Sequence, residues 1–292
     1  MKNLRILSVI FVCIFALNIF AQDAVETTNQ KDYSEYLPQA GDMAISLNLA
    51  PFLNVFADET IDGRIGGDSY NSDLISIALK YMVTDNFGLR FNVGWSYLYN
   101  CDNYFVQDDK AVFLNPLSQA KVTDSYISQN TGVSATIAGE YRFGSRRIQG
   151  YVGGGLTYAL SSYSMNLYYG NAMTEFNQTP TIHESGYYDY LSGFSSARYT
   201  KISNEGLDFN HHAGVVAFVG FEWFVAKKVS VGAEVNVSAI ASWGNLQYAT
   251  LEGYNTLSEK VETWTELYKP SSFAFDFGTQ NVGANISVNF YF

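Results

Sequence analysis

Six ionisable residues fall on one side of an alternating pattern of apolar and polar residues: Lys80, Arg90, Glu140, Arg142, Glu222 and Glu234. Three cations and three anions held at similar depth in a narrow space could pair into a salt-bridge plug, because a desolvated charge is tolerated only beside its counter-ion. They could instead line a charged constriction in a narrow pore. Residues suited to covalent chemistry are sparse. The three histidines are His183, His211 and His212. Neighbouring residues of a strand point to opposite faces, so His211 and His212 cannot join one interior site or hold one metal ion. No catalytic residue, cofactor or metal is assigned, and a non-enzymatic protein is expected.

Strands must hold these charges, since apolar residues recur at every second position from Met43 onward. Ile45, Leu47 and Leu49 share one parity, as do Ile75, Ile77, Leu79, Tyr81 and Val83. Phe87, Leu89, Phe91, Val93, Trp95, Tyr97 and Tyr99 form the clearest series, set against Gly88, Arg90, Asn92, Gly94 and Ser96. Further strands read from Ser125 to Phe143, Ile148 to Leu160, Phe209 to Val225 and Val229 to Trp243. With the last segment, Val282 to Phe292, they make about eight, an even number. Short connections at 84–86, 144–147 and 226–228 alternate with long ones at 57–71, 100–124, 161–208 and 244–270. The pattern predicts an all-β transmembrane antiparallel up-and-down β-barrel over residues 42–292, with short periplasmic turns and long extracellular loops. A soluble sandwich or lipocalin-like barrel would show similar alternation, with its apolar face buried. Two belts of aromatic residues favour the membrane: Tyr81, Phe87, Tyr141, Phe143, Phe221, Trp223, Phe290 and Phe292 near the short turns, and Trp95, Tyr97, Tyr99, Tyr158 and Trp243 near the long loops.

The two ends give the address. Lys2 and Arg5 precede a nearly unbroken apolar run from Ile6 to Phe20, the pattern of a signal peptide over residues 1–21, cut after Ala21. Residues 22–41 are then a polar periplasmic tail. With Cys13 removed only Cys101 remains, so no intramolecular disulfide is expected. Two of the 17 basic residues leave with the signal, against 28 acids, and this balance argues against nucleic acid as a partner. The long loops carry most of the acids. Divalent ions could bridge them to anionic lipopolysaccharide, but no EF-hand-like spacing is present, and a solvated acidic surface is the simpler reading. The loop 161–208 mixes seven tyrosines, among them Tyr163, Tyr168, Tyr169 and Tyr199, with Ser, Gly and Asn. Such a mixture suits an extracellular ligand, or else the rings pack across strands extended above the membrane.

The last segment, with Val282, Ala284, Ile286, Val288, Phe290 and Phe292 on one parity, resembles the C-terminal strand signature of Gram-negative outer-membrane proteins. That resemblance implies that Val288, Phe290 and Phe292 form an assembly signal read by the barrel-assembly machinery, with periplasmic chaperones as partners during biogenesis. From about Met43 to Phe292 the chain resembles the small outer-membrane barrels of the OmpA-transmembrane, OmpX and OmpW type. An integral outer-membrane protein with lipid and lipopolysaccharide neighbours is implied, structural or surface-interacting. A narrow porin for small solutes is the alternative.

Overall fold

The computed structural model describes residues 33–49, 64–65, 75–144, 146–183, 188–189, 194–204 and 209–292. The expected signal peptide, residues 22–32 of the tail and most of the first long loop lie outside the described residues.

Eight strands close into a ring. They are β1 (Met43–Asn48), β3 (Ile75–Met82), β4 (Phe87–Gln107), β5 (Lys121–Phe143), β6 (Ile148–Tyr168), β9 (Asn210–Ala226), β10 (Val229–Gly244) and β13 (Ser272–Tyr291). Each pairs antiparallel with the next in that order, and β13 returns to β1 with Ala44 opposite Tyr291. Met43 and Phe292 exchange backbone hydrogen bonds of 2.9 and 2.8 Å across this seam. Closure leaves no free edge along the wall, which lipid requires because it offers backbone N–H and C=O groups no partner.

Alternation decides which side faces out. Tyr81, Leu89, Phe91, Val93, Ile137, Leu156, Val215 and Val219 stand exposed on the outer surface, while Lys80, Arg90, Glu140 and Glu222 are buried within. Aromatics bound this band: Phe87, Tyr141, Trp223 and Phe290 at the short-turn end, Trp95, Tyr97 and Tyr158 at the other. From Phe87 to Tyr97, at about 3.3 Å per residue and tilted about 40°, the band is roughly 25 Å tall, the height of a bilayer-spanning barrel wall. The fold is a membrane-spanning barrel. Among the described residues no helix is long and apolar enough to cross a membrane, so the crossing falls to the strands.

The strands outrun the sequence reading at the long-loop end. The alternation predicts a strand ending near Tyr99 and another starting at Ser125, yet β4 continues to Gln107 and pairs with β5 back to Lys121. A short helix, α1 (Asp109–Leu114), caps this extension, with the Asp108 side chain accepting from the Ala111 N–H at 3.0 Å. Within the expected loops lie β7 (Tyr188–Asp189), β8 (Phe194–Asn204), β11 (Gln247–Asn255) and β12 (Lys260–Lys269), with the two-residue β2 (Arg64–Ile65) beside β13. β8, β11 and β12 branch from the upper end of β6 as an extension of the same sheet, packed on Ala197, Ile202, Ala249 and Leu251. β13 also starts ten residues earlier than Val282. Its register against β10 shifts between Val237 and Ala239, so Phe273, Phe275 and Phe277 point outward on the opposite parity from Ile286 and Phe290.

Candidate functional site

The strands bring all six predicted charges together inside the barrel, close to the short turns. Lys80 on β3, Arg90 on β4, Glu140 and Arg142 on β5, Glu222 on β9 and Glu234 on β10 occupy inward positions of adjacent or facing strands. Glu222 accepts from Lys80 Nζ at 2.6 Å and from Arg142 Nη2 at 2.8 Å. Glu140 accepts from Arg90 Nη2 at 2.6 Å and Arg142 Nη1 at 2.9 Å, with Lys80 Nζ 3.6 Å away. Arg90 uses its other terminal nitrogen on Glu234, also at 2.6 Å. Every member therefore has a partner of opposite sign, and the six formal charges cancel. Glu140, Arg142 and Glu222 have no exposed surface. Such burial is tolerable only because the remaining lone pairs and N–H groups are also used.

Residues that the charge pattern does not reveal complete this layer. Tyr291 donates to Glu222 Oε2 at 2.9 Å and accepts from Arg142 at 2.5 Å, while Ser230 donates to Glu222 at 2.8 Å. Tyr151 donates to Glu234 at 3.1 Å, and Gln149 accepts from Arg142 Nε at 3.2 Å. Phe218 lies under the Arg90 guanidinium, 4.4 Å from ring centroid to Cζ. Two glycines make room for these rings. A Cβ at Gly220 would stand 2.6 Å from the Tyr151 hydroxyl, and one at Gly153 2.4 Å from the Phe218 ring. Parity alone places Tyr151, Phe218 and Tyr291 inward, so alternation carries the signal for them even though charge does not.

Above the layer, Arg90 Nε, Asn92 Oδ1 and Asn285 Oδ1 lack protein partners and border a polar void of about 30 Å³. A single water fits there. Below it, residues expected as part of a polar tail fold back over the short-turn end. Tyr36 and Leu37 pack on Ala44, Met82, Phe224 and Tyr291. The Arg147 guanidinium sits 4.0 Å from the centroid of the Tyr36 ring. The Ala40 N–H donates to Asp85 at 2.8 Å, Lys227 reaches Glu35 at 2.6 Å and Lys228 pairs with Asp42. Lys228 adopts φ +59°, a left-handed conformation that costs a non-glycine residue about 1 kcal/mol and completes the two-residue turn.

The outer half of the lumen is different. It holds a cavity of about 760 Å³ lined by small and hydroxyl-bearing residues, Ser96, Ser134, Ser161 and Ser242 among them, reaching Asn245 and Pro270 at the long-loop end. His212 lies inward in its wall and His211 outward. His211 stacks on Trp243 with centroids 5.6 Å apart and meets the Tyr158 hydroxyl at 2.6 Å.

The tyrosines of the third loop separate. Tyr163 borders the outer cavity, Tyr168 is exposed, and Tyr169 donates to the Tyr199 carbonyl at 2.5 Å beneath Arg198, burial pushing its hydroxyl pKa up. Arg198 in turn holds Glu252 at 2.7 Å. Residues 170–183 fold onto the upper sheet, where Asp124 accepts from the Gly170 and His183 N–H groups at 2.9 and 3.0 Å. Residues 184–187 and 190–193 lie outside the described residues. At the seam, Phe290 and Phe292 face outward and Val288 is half-buried.

No protein-family model and no curated protein matches the chain. Solved structures do. The N-terminal barrel domain of Pseudomonas aeruginosa OprF is 12% identical, covering 87% of this chain and 100% of that one at a TM-score of 0.33. The outer membrane protein OprG of the same organism is 13% identical, covering 88% and 98% at 0.36. E. coli Outer Membrane Protein W is 14% identical, covering 88% and 100% at 0.30. At these scores the likenesses add nothing to the barrel that the strand register itself defines.

Proposed function

We propose that the chain is an integral outer-membrane β-barrel of a Gram-negative bacterium. Its lumen is closed by the inner charge layer, and its role is structural or surface-interacting rather than enzymatic. The charge-neutral network of Lys80, Arg90, Arg142, Glu140, Glu222 and Glu234 carries this reading, because each pair crosses the lumen or braces a neighbour that does. Parting the network would expose several desolvated charges at once. The apolar outer band and its aromatic borders fit a lipid environment, with the short turns periplasmic and the β8, β11 and β12 extension outside. Lipopolysaccharide and phospholipid then surround the wall. Val288, Phe290 and Phe292 act on the closing strand as the signal met by the assembly machinery and its chaperones.

The test is conductance of the purified full chain in planar bilayers. A closed barrel shows no steady current at moderate voltage. A wild type that conducts steadily, with Glu140→Gln changing only ion selectivity, would instead establish the narrow porin.

A further inference from the structure

We propose that the outer half of the lumen is a binding cup for a free neutral polyhydroxylated ligand, a short sugar chain, taken from the outside. This inference rests on the closed floor argued above, since a cup with a floor receives a ligand where an open tube would pass it.

The observations are the size, the wall and a row of three side chains. At about 760 Å³ the cavity lies within the range of small-molecule sites. Its wall mixes hydroxyls and amides, as at Ser96, Asn130 and Ser134, with apolar surface, as at Leu98 and Ala274, the combination that the hydroxyls and C–H faces of a sugar meet. Among the described residues the charged groups on its border, Lys269 and Asp276, are of opposite sign and give it no net preference for an ion. The acid-rich exterior further disfavours anions. An apolar ligand would strand the wall's hydroxyls without partners.

Ser161 on β6, His212 on β9 and Ser242 on β10 stand side by side on three adjacent strands. Ser161 Oγ meets His212 Nε2 at 3.1 Å, and Ser242 Oγ meets Nδ1 at 2.9 Å. A neutral imidazole donates through one nitrogen and accepts through the other. The serine that accepts from the ring keeps its own proton for the cavity, and the serine that donates to the ring keeps lone pairs. The row thus offers a donor and an acceptor a few ångströms apart, which is what adjacent hydroxyls of a sugar require. A serine–histidine pair could also suggest hydrolysis. Here the second ring nitrogen meets a serine hydroxyl, which brings no negative charge to stabilise an imidazolium. Binding is therefore the favoured use of the row.

The test uses the full chain in lipopolysaccharide-free nanodiscs, with maltotriose as the neutral probe and gluconate as the anionic one. Binding is read by tryptophan fluorescence, Trp243 bordering the cavity, and by saturation-transfer NMR. Maltotriose should bind with a Kd of about 1 mM or tighter, and gluconate about tenfold more weakly. Ser161→Ala with Ser242→Ala should lower maltotriose affinity about tenfold. Gly132→Leu should lower it at least tenfold by intruding into the cup, its Cβ displacing the Ser96 hydroxyl 2.8 Å away. The heat-modifiable gel shift shows independently that each variant is folded. No maltotriose signal, or a wild-type affinity in a folded Gly132→Leu, overturns the cup. Displacement of maltotriose by added lipopolysaccharide overturns a free sugar as the natural ligand and reassigns the site to the membrane's own glycan. Steady wild-type conductance blocked by maltotriose would remove the closed floor while leaving the sugar site standing. A silent bilayer without binding would do the reverse.

Discussion

Glu222→Gln strikes the inner layer at its most connected member. Glu222 is fully buried and accepts from Lys80, Arg142, Ser230 and Tyr291 at 2.6 to 2.9 Å. Glutamine keeps the volume but leaves one positive charge uncompensated, and its amide NH₂ presents a donor where two cations also donate. Removing one partner of a buried pair costs on the order of 3–5 kcal/mol. Neither Glu222 nor Arg142 has exposed surface through which water could screen the loss. A loss of about 4 kcal/mol lowers the ratio of folded to unfolded chains roughly a thousandfold. Lys80→Met combined with Glu222→Gln restores neutrality and should recover about half of that deficit. The assay is equilibrium urea unfolding in lipid vesicles, followed by tryptophan fluorescence and by mobility of unheated samples on SDS gels. The unfolding midpoint should fall in the single variant and rise again in the double. A single variant as stable as wild type, or a double variant worse than the single, would refute a stabilising, mutually neutralising layer.

Other perturbations probe different parts. Phe292→Ala should reduce the heat-modifiable form in outer membranes, and undiminished assembly would remove Phe292 from the insertion signal. An epitope inserted after Asn115, beyond α1, should be reachable on intact cells, whereas one at Ser145 should need permeabilised cells; the opposite result would invert the topology. Gly220→Val should drive Tyr151 off Glu234 and lower stability by about 1–3 kcal/mol, checked by the same urea titration. Leu37→Ala should loosen the segment over the short-turn end and speed chymotryptic cleavage near Tyr36, and unchanged cleavage would show that this segment is held elsewhere.

The wall was legible in the sequence because lipid imposes one rule on every outward position and a crowded lumen imposes another, giving period two from Phe87 to Tyr97 with little interruption. The same rule placed the six charges inward without any contact being known. It stops where lipid stops. Asn100 to Asn103 and Thr123 to Ser125 still pair, but the first stretch is exposed on both faces and the second buries a carboxylate, Asp124, beneath residues 170–183, so no apolar parity marks the continuation of β4 and β5. β11 and β12 pack only one side on a small cluster, which leaves Thr250, Thr263 and Glu266 in a mixed pattern that reads as loop. In β13 the obstacle is different. The register shift opposite Val237 reverses parity, so Phe273 to Phe277 and Ile286 to Phe290 look like unrelated segments to a single-period reading. The serine–histidine row escaped because its members lie on three strands, and only the register sets Ala159 opposite His212 and His212 opposite Ser242.

The segment around Tyr36 touches parts of the chain that share one rim in the closed ring. Its Ala40 reaches the turn at Asp85, its Tyr36 the turn at Arg147, and its Glu35 and Asp42 the turn at Lys227 and Lys228. Each of those hairpins is paired locally, whereas their tips are gathered on one rim by the ring that the β1–β13 seam closes. The segment is therefore a logical AND of three hairpins, and its docking is a timestamp for completed closure. During biogenesis an undocked N-terminal segment marks a ring still open, and protection of Tyr36 from protease becomes a clock hand for the final step of assembly.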